Sequence, residues 1–190
     1  MKILGFKLNA RCDLDTHLSF AKSKIGMEYA KFKPYLNMMS QKVKKVYVES
    51  KLRSILDYGL PLFMGESEAT RNRLKASYMT LNRIIHGGVT FKVNSSTICK
   101  RIKVKPPEKH ITDTAVQFIH KQLYQKNCPA LTAKMIIPKR NAGHIYMRMP
   151  QAGIYPSSLD RLVGLYNRLS QNLKGMNPPR FKRYLRKNDI

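Results

Sequence analysis

A helical repeat of apolar residues, cut at intervals by glycine and proline, constrains this chain more than any other feature. Val43, Val46, Tyr47, Ser50, Leu52, Ile55 and Leu56 fall at helical spacing, and the run closes at Tyr58-Gly59-Leu60-Pro61. Gly59 can take a positive φ, and Pro61 lacks the N–H that a continuing helix needs, so this turn reads as a stop. Ser40 is placed to cap the start. The same grammar recurs downstream. Ser67 stands as a cap with Glu68 at the positive helix end, Leu74, Tyr78, Leu81, Ile84 and Ile85 form the stripe, and His86-Gly87-Gly88 close it. Two such helices with a short connection are expected to pair antiparallel. An earlier helix carries Leu18, Ile25, Tyr29, Phe32 and Leu36. Asp15 or Thr16 is its expected cap, and Pro34 ends or kinks it.

The flanks are less regular. KILGFKLN at the start reads as extended, with Gly5 marking a bulge or a close backbone approach. Residues 88–109 alternate apolar and basic side chains before Pro106-Pro107, which suggests one or two short strands and an exposed basic linker. Thr112 or Thr114 is expected to open a helix with Ala115, Phe118, Ile119 and Leu123 inside. Pro129 fits the first position of a short helix carrying Leu131 and Met135. Tyr146 and Met147 sit in a strand or hairpin. Ser157 and Asp160 have capping-box spacing ahead of a helix through Leu159, Leu162, Val163, Tyr166, Leu169 and Leu173. Pro178-Pro179 then start a basic helix over residues 180–187. The expected fold is mainly α: a strand segment over 1–10, a helical bundle over 11–88, and a basic helical extension with short β elements over 89–190.

Charge narrows the function. The 190 residues carry 36 Lys and Arg against 11 Asp and Glu, a formal charge of +25. Self-repulsion of that size is costly for a compact chain unless a polyanion lies close. The expected partner is nucleic acid, whether RNA, DNA or an RNA–DNA hybrid. Binding to an anionic membrane would call for a long basic amphipathic helix or a lipidation motif, and neither is evident. No apolar run is long enough for a membrane span, and the opening residues are too polar for a signal peptide. Cys12, Cys99 and Cys128 are odd in number and far apart, which supports neither a disulfide framework nor a zinc module. A reducing, intracellular setting follows, nuclear or in another compartment holding nucleic acid. Residues 67–150 hold 16 Lys and Arg against 3 Asp and Glu, so charge is least offset there.

Catalytic patterns are missing by comparison. Asp13 and Asp15 read as a helix-cap cluster; the competing reading is a metal site of an active enzyme, and no other paired carboxylate occurs to complete a two-metal site. His17, His86, His110, His120 and His144 are scattered and read as surface or phosphate-contacting residues. Neither a nucleophile elbow nor a glycine-rich phosphate loop occurs. No catalytic residue, metal ligand or cofactor site is expected in this chain. The candidate phosphate contacts are Lys92, then Lys100, Arg101, Lys103 and Lys105, which alternate with Ile102 and Val104. In a strand those four cations share one face; the competing reading is a solvated edge strand with protective lysines. Lys139 and Arg140 look like a basic loop. Arg180, Lys182, Arg183, Arg186 and Lys187 give the last helix a basic face. Phe181 and Tyr184 could stack on bases there, or Phe181 and Leu185 could dock the helix to the core.

Taken in order, these segments resemble the end of the reverse transcriptase domain of non-LTR retrotransposons. Leu4-Gly5 sits where that family has its primer-grip strand pair. Tyr58-Gly59-Leu60-Pro61 matches its "YG" helix end and hydrophobic turn. Leu74, Leu81, Asn82, Arg83, Ile84 and Ile85 match its "L…L…N…RII" helix, and Ser158, Leu165-Tyr166-Asn167, Leu169 and Phe181-Lys182 match its post-thumb ending. Ser170 stands where proline is common in the family. The resemblance implies a thumb and post-thumb region that holds primer–template duplex. The family's palm and fingers, with the YxDD aspartates, precede this region, and these 190 residues contain no YxDD. The chain is therefore expected to be non-catalytic alone, to work beside a palm and fingers domain, or to serve as a co-opted structural RNA-binding protein of a ribonucleoprotein particle.

Overall fold

The computed structural model describes residues 2–3, 5–7, 14–87, 93–125, 135–136, 146–147 and 158–188. The chain is mainly helical and divides into two compact units, Met1–His110 and Ile111–Ile190.

The first unit opens with a small antiparallel pair, β1 (Lys2–Ile3) and β2 (Phe6–Lys7), with Ile3 opposite Phe6 and Lys2 opposite Lys7. Helix α1 (Asp15–Phe32) passes at Pro34 into a 3₁₀ segment, Lys33–Met38. Helix α2 (Gln41–Tyr47), a π-helical segment (Val48–Arg53) and α3 (Ser54–Asp57) follow without a break. A 3₁₀ turn, Leu60–Gly65, leads to α4 (Glu68–His86), then α5 (Ser95–Arg101) and the start of α6 (Pro107–Gln125). The second unit takes the rest of α6, the antiparallel pair β3 (Met135–Ile136) and β4 (Tyr146–Met147), α7 (Ser158–Asn167), α8 (Gln171–Lys174) and α9 (Pro178–Lys187).

Local signals act as expected at several ends. Ser40 Oγ accepts from the Val43 N–H at 3.4 Å, and Ser67 Oγ from the Thr70 N–H at 3.2 Å. Gly59 and Gly87 take the left-handed conformation at φ +70° and +112°. Asp15 is the exception. Leu14 holds the cap position, and Asp15 is the first helical residue. Its carboxylate accepts from the Thr70 hydroxyl at 3.2 Å and pairs with Arg73, so it ties α1 to α4.

The second helix departs from its apolar repeat. Val43 and Val46 are 50% and 61% exposed, while Val48, Leu52 and Leu56 are buried. The π segment is the cause. Its wider turn takes more residues per revolution, so a 3.6-residue pattern laid through it goes out of phase. The core face is set on the far side of that turn. Leu18, Leu60, Leu74, Tyr78, Leu81, Ile85 and Ile98 complete the interior of the unit. Within it Arg53 Nη2 donates to Asn82 Oδ1 at 2.9 Å, and the Asn82 amide points to Cys99 Sγ at 3.5 Å.

Further expectations are corrected. Residues 95–101 form a helix where the alternation suggested a strand. Asn94 Oδ1 caps it by accepting from the Ser96 N–H at 3.2 Å, and Ile98, Cys99 and Ile102 point inward. Helix α6 starts at Pro107, ahead of both threonines, because proline suits a first-turn position whose N–H would be unpaired anyway. Ala115 and Ile119 are buried as expected, but Phe118 is exposed. Met135 lies in a strand; Pro129 and Leu131 are outside the described residues. The helix expected to run through Leu173 ends at Asn167, and α8 carries Leu173.

Candidate nucleic-acid interface

The β1–β2 pair is held to the bundle by aromatic packing at the Tyr58-Gly59 turn. The Phe6 ring stacks on Tyr58 at 4.9 Å and leans on His17 at 4.7 Å. A Cβ at Gly59 would clash with Cζ and Cε1 of Phe6, so glycine here serves the close approach as well as the positive φ. Gly5, at φ +86°, lies beside the Tyr58 hydroxyl. Lys7 Nζ sits 3.9 Å from the centre of the Phe20 ring, a cation–π contact. Leu4 lies outside the described residues. His17 is buried rather than on the surface, and burial pushes its pKa down.

The cations at the end of α5 do not form one face. Lys100 and Arg101 are neighbours on a helix, so they diverge by about 100°. Lys103 takes φ +51°. Its N–H bonds to the Lys100 carbonyl at 3.2 Å, and the Val104 N–H bonds to the Cys99 carbonyl at 3.0 Å. This is a Schellman ending with lysine in the place that glycine usually takes. Lys45 Nζ donates to the Ile102 and Lys103 carbonyls at 3.3 and 2.8 Å, placing a cation at the negative helix end. Lys100, Arg101 and Lys103 remain exposed and Lys105 is half-buried. Lys92, Lys139 and Arg140 lie outside the described residues.

Helix α9 does gather its cations. Arg180, Lys182, Arg183, Arg186 and Lys187 are all exposed, and they fall within about 160° of the helix circumference. Asn177 Oδ1 caps the helix by accepting from the Arg180 N–H at 3.0 Å. Among the described residues none of the five has an ion-pair partner, so the positive face is not neutralised locally. Phe181 and Leu185 are 1% exposed and form the docking side, which rules out base stacking by Phe181. Tyr184 is half-buried.

Phe181 packs face to face on His120, with ring centres 4.0 Å apart. His120 is also buried. Its Nε2 lies 2.8 Å from the Met176 carbonyl and its Nδ1 3.1 Å from the Tyr166 hydroxyl. A neutral ring satisfies both: Nε2–H donates to the carbonyl, and the tyrosine donates to Nδ1. Burial lowers the His120 pKa and pushes that of Tyr166 up to about 12. His120 is thus a core residue, not a phosphate contact. In the first unit the Tyr78 hydroxyl and His110 Nε2 converge on Asp57 Oδ1 at 2.6 and 2.8 Å. No local pattern announces that cluster, because Asp57 and His110 are 53 positions apart.

Among the described residues no group of three or more His, Cys, Asp or Glu could hold a metal ion, and no helix is long and apolar enough to cross a membrane. Compared with protein families, with curated proteins and with solved structures, the chain matches none.

Proposed function

We propose that this chain is a nucleic-acid-binding region of reverse-transcriptase type, a thumb and post-thumb segment that grips primer–template duplex through phosphate contacts and carries out no chemistry alone. The observation that carries the reading is the face of α9, where five exposed cations meet no anionic partner among the described residues. A net charge of +25 supports it, since phosphates relieve the repulsion that such a charge creates. The β1–β2 pair, fastened to the helical bundle by Phe6 and Gly59, suits the primer-grip role that the resemblance implies for Leu4 and Gly5. A palm and fingers domain is the partner that would complete such an enzyme.

Fluorescence anisotropy with RNA–DNA hybrid, duplex DNA and single-stranded RNA across a salt series tests this. Tightest binding to the hybrid, with a steep log–log salt slope, is expected. Preference for structured RNA would favour a co-opted ribonucleoprotein component instead. No binding at low salt would overturn both.

A further inference from the structure

Three aromatic rings in the first unit belong to neither the core nor the basic face of α9. Phe32, at the end of α1, stacks on Tyr47 of α2 with ring centres 3.6 Å apart and planes 19° apart. The Tyr47 hydroxyl donates to the Glu28 carbonyl at 3.2 Å, which holds that pair in place. Tyr35 meets Phe32 edge-on at 6.4 Å. It lies in the 3₁₀ segment directly after Pro34, whose fixed φ stiffens the backbone under the ring. Tyr35 is 57% exposed.

The charge around Glu28, whose carbonyl holds Tyr47, is one-sided. Lys24, Lys31, Lys33 and Lys51 are all exposed. Glu28 is the acid among them. The Lys31 ammonium bonds to it at 2.8 Å and, with Lys24 and Lys51 further off, holds its carboxyl below the usual range. Three lysines therefore share one carboxylate, and Lys33 lies next to the ring segment in the chain. An exposed ring on a stiff support, with a lysine two residues before it, suits the way proteins hold unpaired nucleotides: the ring stacks on a base and the ammonium group meets a phosphate. A base inside a duplex offers no free face for this.

We propose that Tyr35, set edge-on against Phe32, which itself stacks on Tyr47, and preceded in the chain by the exposed Lys33, is a stacking site for an unpaired nucleotide. The site rests on the nucleic-acid reading above but differs from it in kind. Helix α9 meets phosphates, whereas Tyr35 meets a base.

The experiment compares the full chain with Tyr35→Ala and Tyr35→Phe on three probes: a twelve-nucleotide oligo(U), an abasic oligomer of the same phosphate count, and a duplex. Tyr35 is exposed, so neither variant disturbs the fold, and circular dichroism checks this. Tyr35→Ala is expected to weaken oligo(U) binding by about tenfold, the loss of one stacked base. Tyr35→Phe keeps the affinity, and neither change alters binding to the abasic oligomer or the duplex. If the full chain binds oligo(U) and Tyr35→Ala binds it equally well, the stacking site is wrong and the nucleic-acid reading stands. An equal loss on all three probes would also refute stacking, because it would trace to charge or fold. If the full chain binds none of the probes, the nucleic-acid reading fails and the site with it.

Discussion

The end of α5 and the whole of α9 are both strongly basic, yet the two helices use their cations differently. On α9 the basic residues follow the helical period, so Phe181 and Leu185 face inward and the five cations share the outer face. On α5 the cations crowd the last residues and the turn beyond them, where no single face exists. That end is taken up by folding: Lys103 supplies the left-handed residue, and Lys45 covers the carbonyls. A cluster of lysine and arginine is thus not an interface by itself. The phase between the charges and the apolar residues decides whether they can meet a ligand together.

The largest effect should come from removing the support of the α9 face. Phe181→Ala opens a cavity against His120 and is expected to cost about 3–5 kcal/mol, measured by urea denaturation. A loss below about 1 kcal/mol would mean that α9 is not anchored through this ring.

Next comes the face itself. Arg183→Ala with Arg186→Ala should reduce the log–log salt slope of duplex binding by about 2, if each arginine meets one phosphate. Lys100→Ala with Arg101→Ala removes the same charge and should change the slope less. Equal changes would erase the distinction between the two helices.

Acid should weaken α9's anchorage in a predictable direction. His120 in the fold resists protonation, whereas in the unfolded chain it titrates near the ordinary value of 6.5. The stability of the neutral buried ring is therefore fully present above about pH 6.5 and is lost as pH falls toward the lower folded pKa. Urea midpoints at pH 7.5 and pH 5 should differ, and His120→Gln should shrink that difference. The buried His17 contributes in the same direction in the first unit, so some dependence will remain.

The smallest effect is at the end of α5. Lys103→Gly relieves a left-handed conformation that costs a side-chain-bearing residue about 1–2 kcal/mol, while the freer unfolded chain takes back about 0.4–1 kcal/mol. A net gain between about 0 and 1.6 kcal/mol in thermal or urea unfolding is expected. A loss would show that the lysine side chain contributes more there than its backbone strain costs.

The sequence by itself determined several helix ends and much of the helical core. Ser40, Ser67, Gly59 and Gly87 act through neighbours within a few residues, and that information is local. The stripe of α4 was legible for the same reason: Leu74, Tyr78, Leu81, Ile84 and Ile85 lie on one unbroken helix and all are buried. What escaped the pattern was decided elsewhere in the chain. The π segment re-phased the α2 stripe without a sequence mark of its own. Lys100, Arg101, Lys103 and Lys105 alternate with Ile102 and Val104 like a strand but form the end of a helix and its closing turn, because burial of Ile98, Cys99 and Ile102 outweighs a weak local preference. His17 and His120, read as surface residues, are core residues because partners far along the chain enclose them. Tyr166 meets His120 across 46 positions, and Lys45 meets the end of α5 across 58. Contacts at such separations form only once the helices have packed, so the tertiary structure alone decides which polar side chains turn inward and which cations remain free to bind.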